Sequence, residues 1–427
     1  MRRIDYTAMC RELRRLQPAT GRHAALSQTL DPDQLLALAR QQTGLAEFGD
    51  ETFIEPYRKL LDCVARDVDF SDEGLAIFRQ HILRCLHNRL RMHADFSRHP
   101  EIFDEDVSDP IVVIGLPRSG TTKVQRILSS LPDTDIQKAY LWQMLNPAPF
   151  PGEQPGQPEP RIRAAGAGGF TSDDRPDYEA AHVITALQPE EDGLICDSTF
   201  DDWVWSSVFA PSLDYYEWVV QRPHRANYQH LRTMYQYLQW QNGGRRGRRW
   251  ISKNVQHIAY LDDLLACFPK ATLVHCHRTP LVSIPSLAKL SLQMWGPLLR
   301  SVDPVFTGQA MFRWWHAATE RYLDVRAELR LDGRIIDVPY ERIRNDGAGL
   351  ARDIYRAAGH ELTAAQWQCI VQWERDNEQH KNGRHLYSLE QFGLSAEQIA
   401  AAFADYCERF IEPFESAPPV PHCVNQN

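Results

Sequence analysis

Apolar residues along this chain follow two rhythms, and the change between them divides it. From Leu75 to Phe96 they recur at Ile77, Ile82, Leu83, Leu86, Leu90 and Met92, with Arg and His between. That is the spacing of one helix face, and the run ends at His99-Pro100, where proline disfavours helix in the residue before it. Residues 1–107 therefore read as a helical N-terminal region, a cap or an oligomer contact with no chemistry of its own. At Pro110 the texture changes. Ile111-Val112-Val113-Ile114 is a continuous β-branched run, suited to a strand buried on both faces of a parallel sheet. A glycine-bearing loop follows, and then Val124, Ile127, Leu128 and Leu131 at helical spacing.

The alternation recurs downstream. Tyr228–Trp240 predicts a helix, Trp250–Lys253 a strand, His257–Phe268 a helix and Ala271–Cys276 a strand. Arg278-Thr279-Pro280 opens another helix, Arg334–Val338 is one more strand, and about 348–414 is mostly helical. Residues 108–415 are thus expected to form an α/β domain, a mainly parallel sheet flanked by helices, carrying a helical N-terminal extension and a C-terminal tail at 416–427. Residues 146–177, rich in Pro, Gly and Ala, predict a surface loop or a lid without long regular structure. The run Gly243-Gly244-Arg245-Arg246-Gly247-Arg248-Arg249 reads as a solvated turn.

Composition narrows the function. The chain has 427 residues, 43% hydrophobic and 24% charged, enough for a large core. Its formal charge of −9 argues against a nucleic-acid surface, though not against a local basic pocket. Nine scattered cysteines without a metal-type spacing predict reduced, mostly buried thiols and no metal site. No stretch approaches the roughly 18 apolar residues of a membrane span, and Met1-Arg2-Arg3 leads into no apolar leader segment. Cytoplasm is the expected compartment.

The chemistry concentrates in Gly115-Leu116-Pro117-Arg118-Ser119-Gly120-Thr121-Thr122. Two glycines five apart, after a strand and before a helix, make the frame of a phosphate loop, whose amides and helix N-terminus face an anion. A nucleoside triphosphatase needs Lys where this chain has Thr121, and the basic residue has moved to Arg118. That suits a shorter anion, such as a 5′-phosphate bearing one more tetrahedral group.

The run Leu116–Thr122 resembles the 5′-phosphosulfate loop of sulfotransferases that use 3′-phosphoadenosine 5′-phosphosulfate. Arg278 at a strand end and Ser286 eight residues later match the spacing of that family's 3′-phosphate ligands. Trp250-Ile251-Ser252-Lys253 through His257, and Phe268-Pro269-Lys270-Ala271, resemble its bacterial branch. The resemblance covers about 85–415 and implies the family's P-loop-like fold. It implies the nucleotide as co-substrate, held by Arg118, Ser119, Gly120, Thr121, Thr122, Arg278 and Ser286, with Arg384 in a looser Gly-Arg-x-Tyr match. Departures are Asn254-Val255 after the Lys, Thr279 after Arg278, Pro285 inside the presumed helix, and Lys123 where cytosolic relatives stack a Trp on adenine.

The implied reaction is in-line transfer of a sulfuryl group to a hydroxyl of a small-molecule, lipid or glycoside acceptor. Arg118 and Lys253 are the candidates for neutralising the leaving group, with no metal required. The acceptor also needs a general base. Candidates are the triplet Glu190-Glu191-Asp192, His257 and His182, of which Glu191 and His257 are favoured. The aromatic set Trp203, Trp205, Phe209, Tyr215, Tyr216 and Trp218, and Trp314-Trp315, reads as core, with an acceptor pocket as the alternative. Two other functions remain open: a small-molecule kinase with a degenerate loop, using Asp337 for Mg²⁺, or a non-catalytic nucleotide-binding module. Oligomeric state is not legible.

Overall fold

All five residues of β1 (Ile111–Gly115) are buried, as a strand covered on both faces must be. In this computed structural model, which describes residues 4–17, 28–154, 156–167, 171, 184–245, 247–377 and 388–415, β1 is the centre of a parallel sheet. Its partners are β2 (Ile136–Gln137), β3 (Arg249–Lys253), β4 (Thr272–His277) and β5 (Ile335–Pro339), in the order β2-β3-β1-β4-β5. Ile111 lies level with Ile251 of β3 and with Thr272 of β4. The four longer strands were legible in the sequence. The two-residue β2 was not, because so short a pairing carries no periodicity.

Alternation along the strands sorts their side chains between two layers. Val112, Ile114, Leu273 and Ile335 join one apolar cluster, and Ile111, Val113, Ile251, Val274 and Val338 join the other. The second layer is closed by α2 (Thr121–Leu128) and by the helices Gly347–Ala357 and Ala364–Asp376. The first layer is much larger. It includes α1 (Asp72–Arg98), α3 (Pro280–Trp295) and α4 (Pro304–Glu328), and the shorter N-terminal helices share its cluster. α1 spans the helix predicted from Leu75 to Phe96 and ends at His99. α3 continues through Pro285 to Trp295. No helix among the described residues is long and apolar enough to cross a membrane. The eight described cysteines are all free thiols, six of them buried.

Three local expectations need correction. The Pro-rich segment 146–177 carries a two-turn helix, Glu159–Gly166, with Pro160 in its first turn, where a missing N–H costs nothing, and Ala165 buried beneath it. The stretch from His257 starts as a 3₁₀ turn, Val255–Tyr260, and becomes α-helical only over Leu261–Cys267. The basic run before β3 is a structural clamp. Arg245 bonds Asp106 at 3.0 Å and Asp109 at 2.7 Å, while the nearly buried Arg248 donates to the carbonyls of Asn242 at 3.1 Å and Gly244 at 2.6 Å. Arg245 thus answers carboxylates from a distant segment, and Arg248 also donates to the Asp133 carbonyl, partners that a run of like charges cannot announce.

Beside β5 lies a buried polar network, in which only the Nε2 of His275 is left without a hydrogen-bond partner. Asp337 takes two bonds of 2.7 Å from Arg326 of α4 and one of 2.8 Å from His277 of β4. His277 meets the Tyr406 hydroxyl at 2.9 Å, and His275 meets that of Tyr322 at 2.6 Å. Although burial opposes it, the bonds from Arg326 and His277 hold the Asp337 carboxyl down at about 2. Because the folded value lies below the ordinary Asp value of about 3.9, this stabilisation is full above that pH and fades as pH falls towards 2. Asp337→Asn should therefore cost about 2–4 kcal/mol at pH 7 by urea denaturation. The gap from the parent should narrow as the measurement moves from pH 5 to pH 3.

Candidate active site

Strand order reverses direction at β1, with β2 and β3 on one side and β4 and β5 on the other. In open α/β sheets the crevice at the carboxyl end of such a switch point receives ligands. Here that crevice holds the glycine loop. Gly115 has φ +150, and a Cβ on it would lie 2.6 Å from the Cys276 carbonyl oxygen of β4 and 2.8 Å from Ser119 Oγ. Gly120, with φ +95, opens α2 without a side-chain cap. The first-turn N–H groups of α2 are thus not satisfied by a capping side chain. Ser119 is fully buried and its hydroxyl has no partner. Arg118 adopts φ +68, a left-handed conformation that a non-glycine residue holds at a cost.

The loop meets the second sequence motif directly. Arg118 Nε donates to Ser286 Oγ on α3 at 3.2 Å, and Arg278 Nη1 donates to the Arg118 carbonyl at 2.8 Å. Residues 118, 278 and 286 are therefore neighbours. The Arg278 guanidinium lies 4.0 Å from the ring centre of Tyr340, a cation–π contact. Tyr340 also flanks Gly120 and was missed by sequence reasoning. Its only signal was position, immediately after the carboxyl end of a parallel strand. Lys123, at the presumed adenine position, is occupied elsewhere, bonding Glu374 at 3.1 Å and the Arg344 carbonyl at 3.3 Å.

The acidic triplet divides into three roles. Glu190 is buried and pairs with Arg126 at 3.1 Å. Asp192 ties down β3, accepting from Ser252 Oγ at 2.5 Å and from the Lys253 amide at 2.9 Å. Glu190 and Glu191 both belong to the cavity lining, and Glu191, the more exposed of the two, pairs with the fully buried Lys253, whose Nζ is 2.7 Å from Oε1. His257 sits outside the cavity lining. Its Nδ1 meets the Tyr228 hydroxyl at 2.9 Å, and its Nε2 is 3.8 Å from Asp192. His182 and Arg384 lie outside the described residues.

Arg118, Thr121, Thr122 and Glu191 form the polar end of a cavity of about 250 Å³. Most of the remaining wall is apolar, with Phe78, Val208, Phe209, Leu287, Met294 and Trp315 prominent, though His81, Ser207, Asn254, Gln256 and Ser291 also line it. Phe209 closes a π-helical turn, Trp205–Phe209, in which the Ala210 amide reaches back to the Trp205 carbonyl at 2.8 Å. Such turns cluster at functional sites because the extra residue re-aims side chains. Asp202 anchors the turn by accepting from the Val204 amide at 2.8 Å, and burial pushes its carboxyl up to about 7. The aromatic set thus splits. Trp203, Trp205, Tyr215, Tyr216 and Trp314 are core, while Phe209 and Trp315 face the cavity. Ile77, Phe78 and His81 of α1 also line it, so the N-terminal helices contribute to the site and are more than a cap.

Comparison with known proteins agrees with this geometry. The profile of the sulfotransferase family matches residues 110–364. The fold is similar to the crystal structure of sulfotransferase STF9 from Mycobacterium avium, with a TM-score of 0.78 and 26% identity over 89% of this chain and 96% of that one. It is also similar to sulfotransferase STF1 from Mycobacterium tuberculosis, with a TM-score of 0.73 and 25% identity over 88% of this chain and 98% of that one. No curated protein matches the sequence significantly.

The loop geometry makes Gly115 irreplaceable. Gly115→Ala should lose roughly 1–3 kcal/mol from backbone strain, and more from the overlap with Cys276. Gly166→Ala, at a position with open space and no positive φ, should stay within about 0.5 kcal/mol of the parent. Calorimetric melting of the two variants makes the comparison.

Proposed function

Because the chain belongs to the sulfotransferase family, we propose that it moves the sulfuryl group of 3′-phosphoadenosine 5′-phosphosulfate to a hydroxyl of a small-molecule acceptor. The observation that carries this reading is the contact of Arg118 with both Ser286 and Arg278. It brings the loop suited to a 5′-phosphosulfate against the pair suited to a 3′-phosphate. The residues fit such a nucleotide. A buried, unpartnered Ser119 hydroxyl and a glycine cradle free of Cβ atoms serve one anionic end. A guanidinium and a hydroxyl serve the other. When bound, the nucleotide supplies the sulfuryl group and leaves as the bisphosphate.

The chain's own residues have separable tasks. The loop amides, Thr121 and Thr122 orient the transferring end, and Arg118 and Lys253 offset the charge that develops there. Glu191 takes the acceptor's proton, because it stands at the junction of the polar loop and the apolar cavity and its partner Lys253 holds it aimed. His257 is given a supporting role, since Tyr228 holds its Nδ1 and it lies outside the cavity lining. The kinase alternative loses its carboxylate, because Arg326 occupies both Asp337 oxygens.

Adenosine 3′,5′-bisphosphate should raise the melting temperature without Mg²⁺, and Arg278→Ala should weaken its binding by about 100-fold, in line with loss of charge-assisted bonds. Unchanged affinity would remove Arg278 from the site. Glu191→Gln should lower kcat by about 10²–10⁴ with bisphosphate affinity retained, the usual worth of a general base. If His257→Gln abolishes turnover and Glu191→Gln does not, the base is His257.

A further inference from the structure

Past His81, the same face of α1 lines a second cavity, of about 380 Å³, with a different character. Arg84, His87 and Arg91 face it at i, i+3 and i+7, with Gln80 beside them and Asn146 and Phe150 opposite. No carboxylate belongs to its lining among the described residues. Arg91 makes no hydrogen bond or ion pair with the described residues. Its guanidinium rests 5.0 Å from the centre of the Phe150 ring. The buried Nε2 of His87 has no partner. Burial and the Arg91 charge pull the His87 imidazole down to about 4, and burial likewise lowers Arg91. Arg84 packs against His81 near Asp197, whose carboxyl burial raises well above its ordinary range.

Positive charge held in a half-buried cavity without a counter-charge is costly, and a bound anion relieves that cost. Ile77 and His81 belong to the walls of both cavities, so the basic cavity adjoins the apolar end of the acceptor cavity.

We propose that the acceptor is an amphiphile, with its hydroxyl at Glu191, an aliphatic body in the apolar cavity and a terminal carboxylate or phosphate held by Arg91 and His87. The proposal rests on the sulfuryl-transfer reading for the hydroxyl end alone. The basic cavity confers specificity because a neutral alcohol brings Arg91 no anionic partner, and none of the described residues supplies one.

Calorimetric titration of the full chain with ω-hydroxylaurate, dodecanol and inorganic phosphate, without sulfuryl donor, tests this apart from catalysis. ω-Hydroxylaurate should bind at least about tenfold more tightly than dodecanol or phosphate, the scale of one or two charge-assisted bonds. In Arg91→Gln that advantage should collapse, while a melting shift with adenosine 3′,5′-bisphosphate shows that the variant is folded. Equal affinity for the acid and the alcohol, or an advantage that survives in Arg91→Gln, overturns the proposal. So does phosphate binding as tightly as the acid, which would make the cavity a site for a free anion. A missing bisphosphate shift in the parent would instead count against the sulfuryl-donor reading.

Discussion

Where β1 ends against β4, the carbonyl of Cys276 and the hydroxyl of Ser119 fill the space that a side chain on Gly115 would need. This close approach lets the chain leave the sheet in a tight loop and re-enter a helix at Thr121. It also sets the Arg118 carbonyl within reach of Arg278, on the segment that follows β4. Two loops with separate tasks thereby become one rigid object. The left-handed Arg118 is tolerated because both ends of the residue are tied, its carbonyl by Arg278 and its guanidinium by Ser286.

Much of this was written locally enough to be read from the sequence. A β-branched run buried on both faces gives β1, and glycines at fixed spacing after a strand give the loop. An Arg at a strand end with a Ser eight residues on gives the second anchor. These signals survive in isolation because each is a short segment whose own backbone needs them. What stayed hidden depends on partners distant in sequence. Glu190, Glu191 and Asp192 look alike in the chain, and only Arg126, Lys253 and Ser252 distinguish them. His257 and Glu191 look equally eligible in the chain, and only the structure shows one bonded to Tyr228 and the other to Lys253. Arg248 looked solvated until main-chain carbonyls surrounded it.

Charge is distributed accordingly. A chain of net −9 keeps several cations inside, and most are answered by the protein itself, as Arg326 is by Asp337 and Arg161 by Glu153. Lys253 is answered by Glu191, a group that also faces the cavity, so its partner is shared with whatever enters. Among the described residues, Arg91 is answered by an aromatic ring alone. The graded supply of counter-charge, from complete in the sheet network to minimal in the basic cavity, separates cations that hold the fold from cations left available to ligands.

The two halves of the site are built from different materials. The loop end uses strand termini, glycines and main-chain atoms, whereas the cavity walls use side chains from α1, α3, α4 and the π-helical turn. A change to Phe78, Phe209 or Met294 reshapes the wall without moving a backbone atom of the loop. Heredity can therefore act on the two halves separately, with one fixed by geometry that few substitutions survive and the other free to drift among apolar side chains. One ancestral loop platform could in this way give rise to a repertoire of descendants that differ only in the guest they admit.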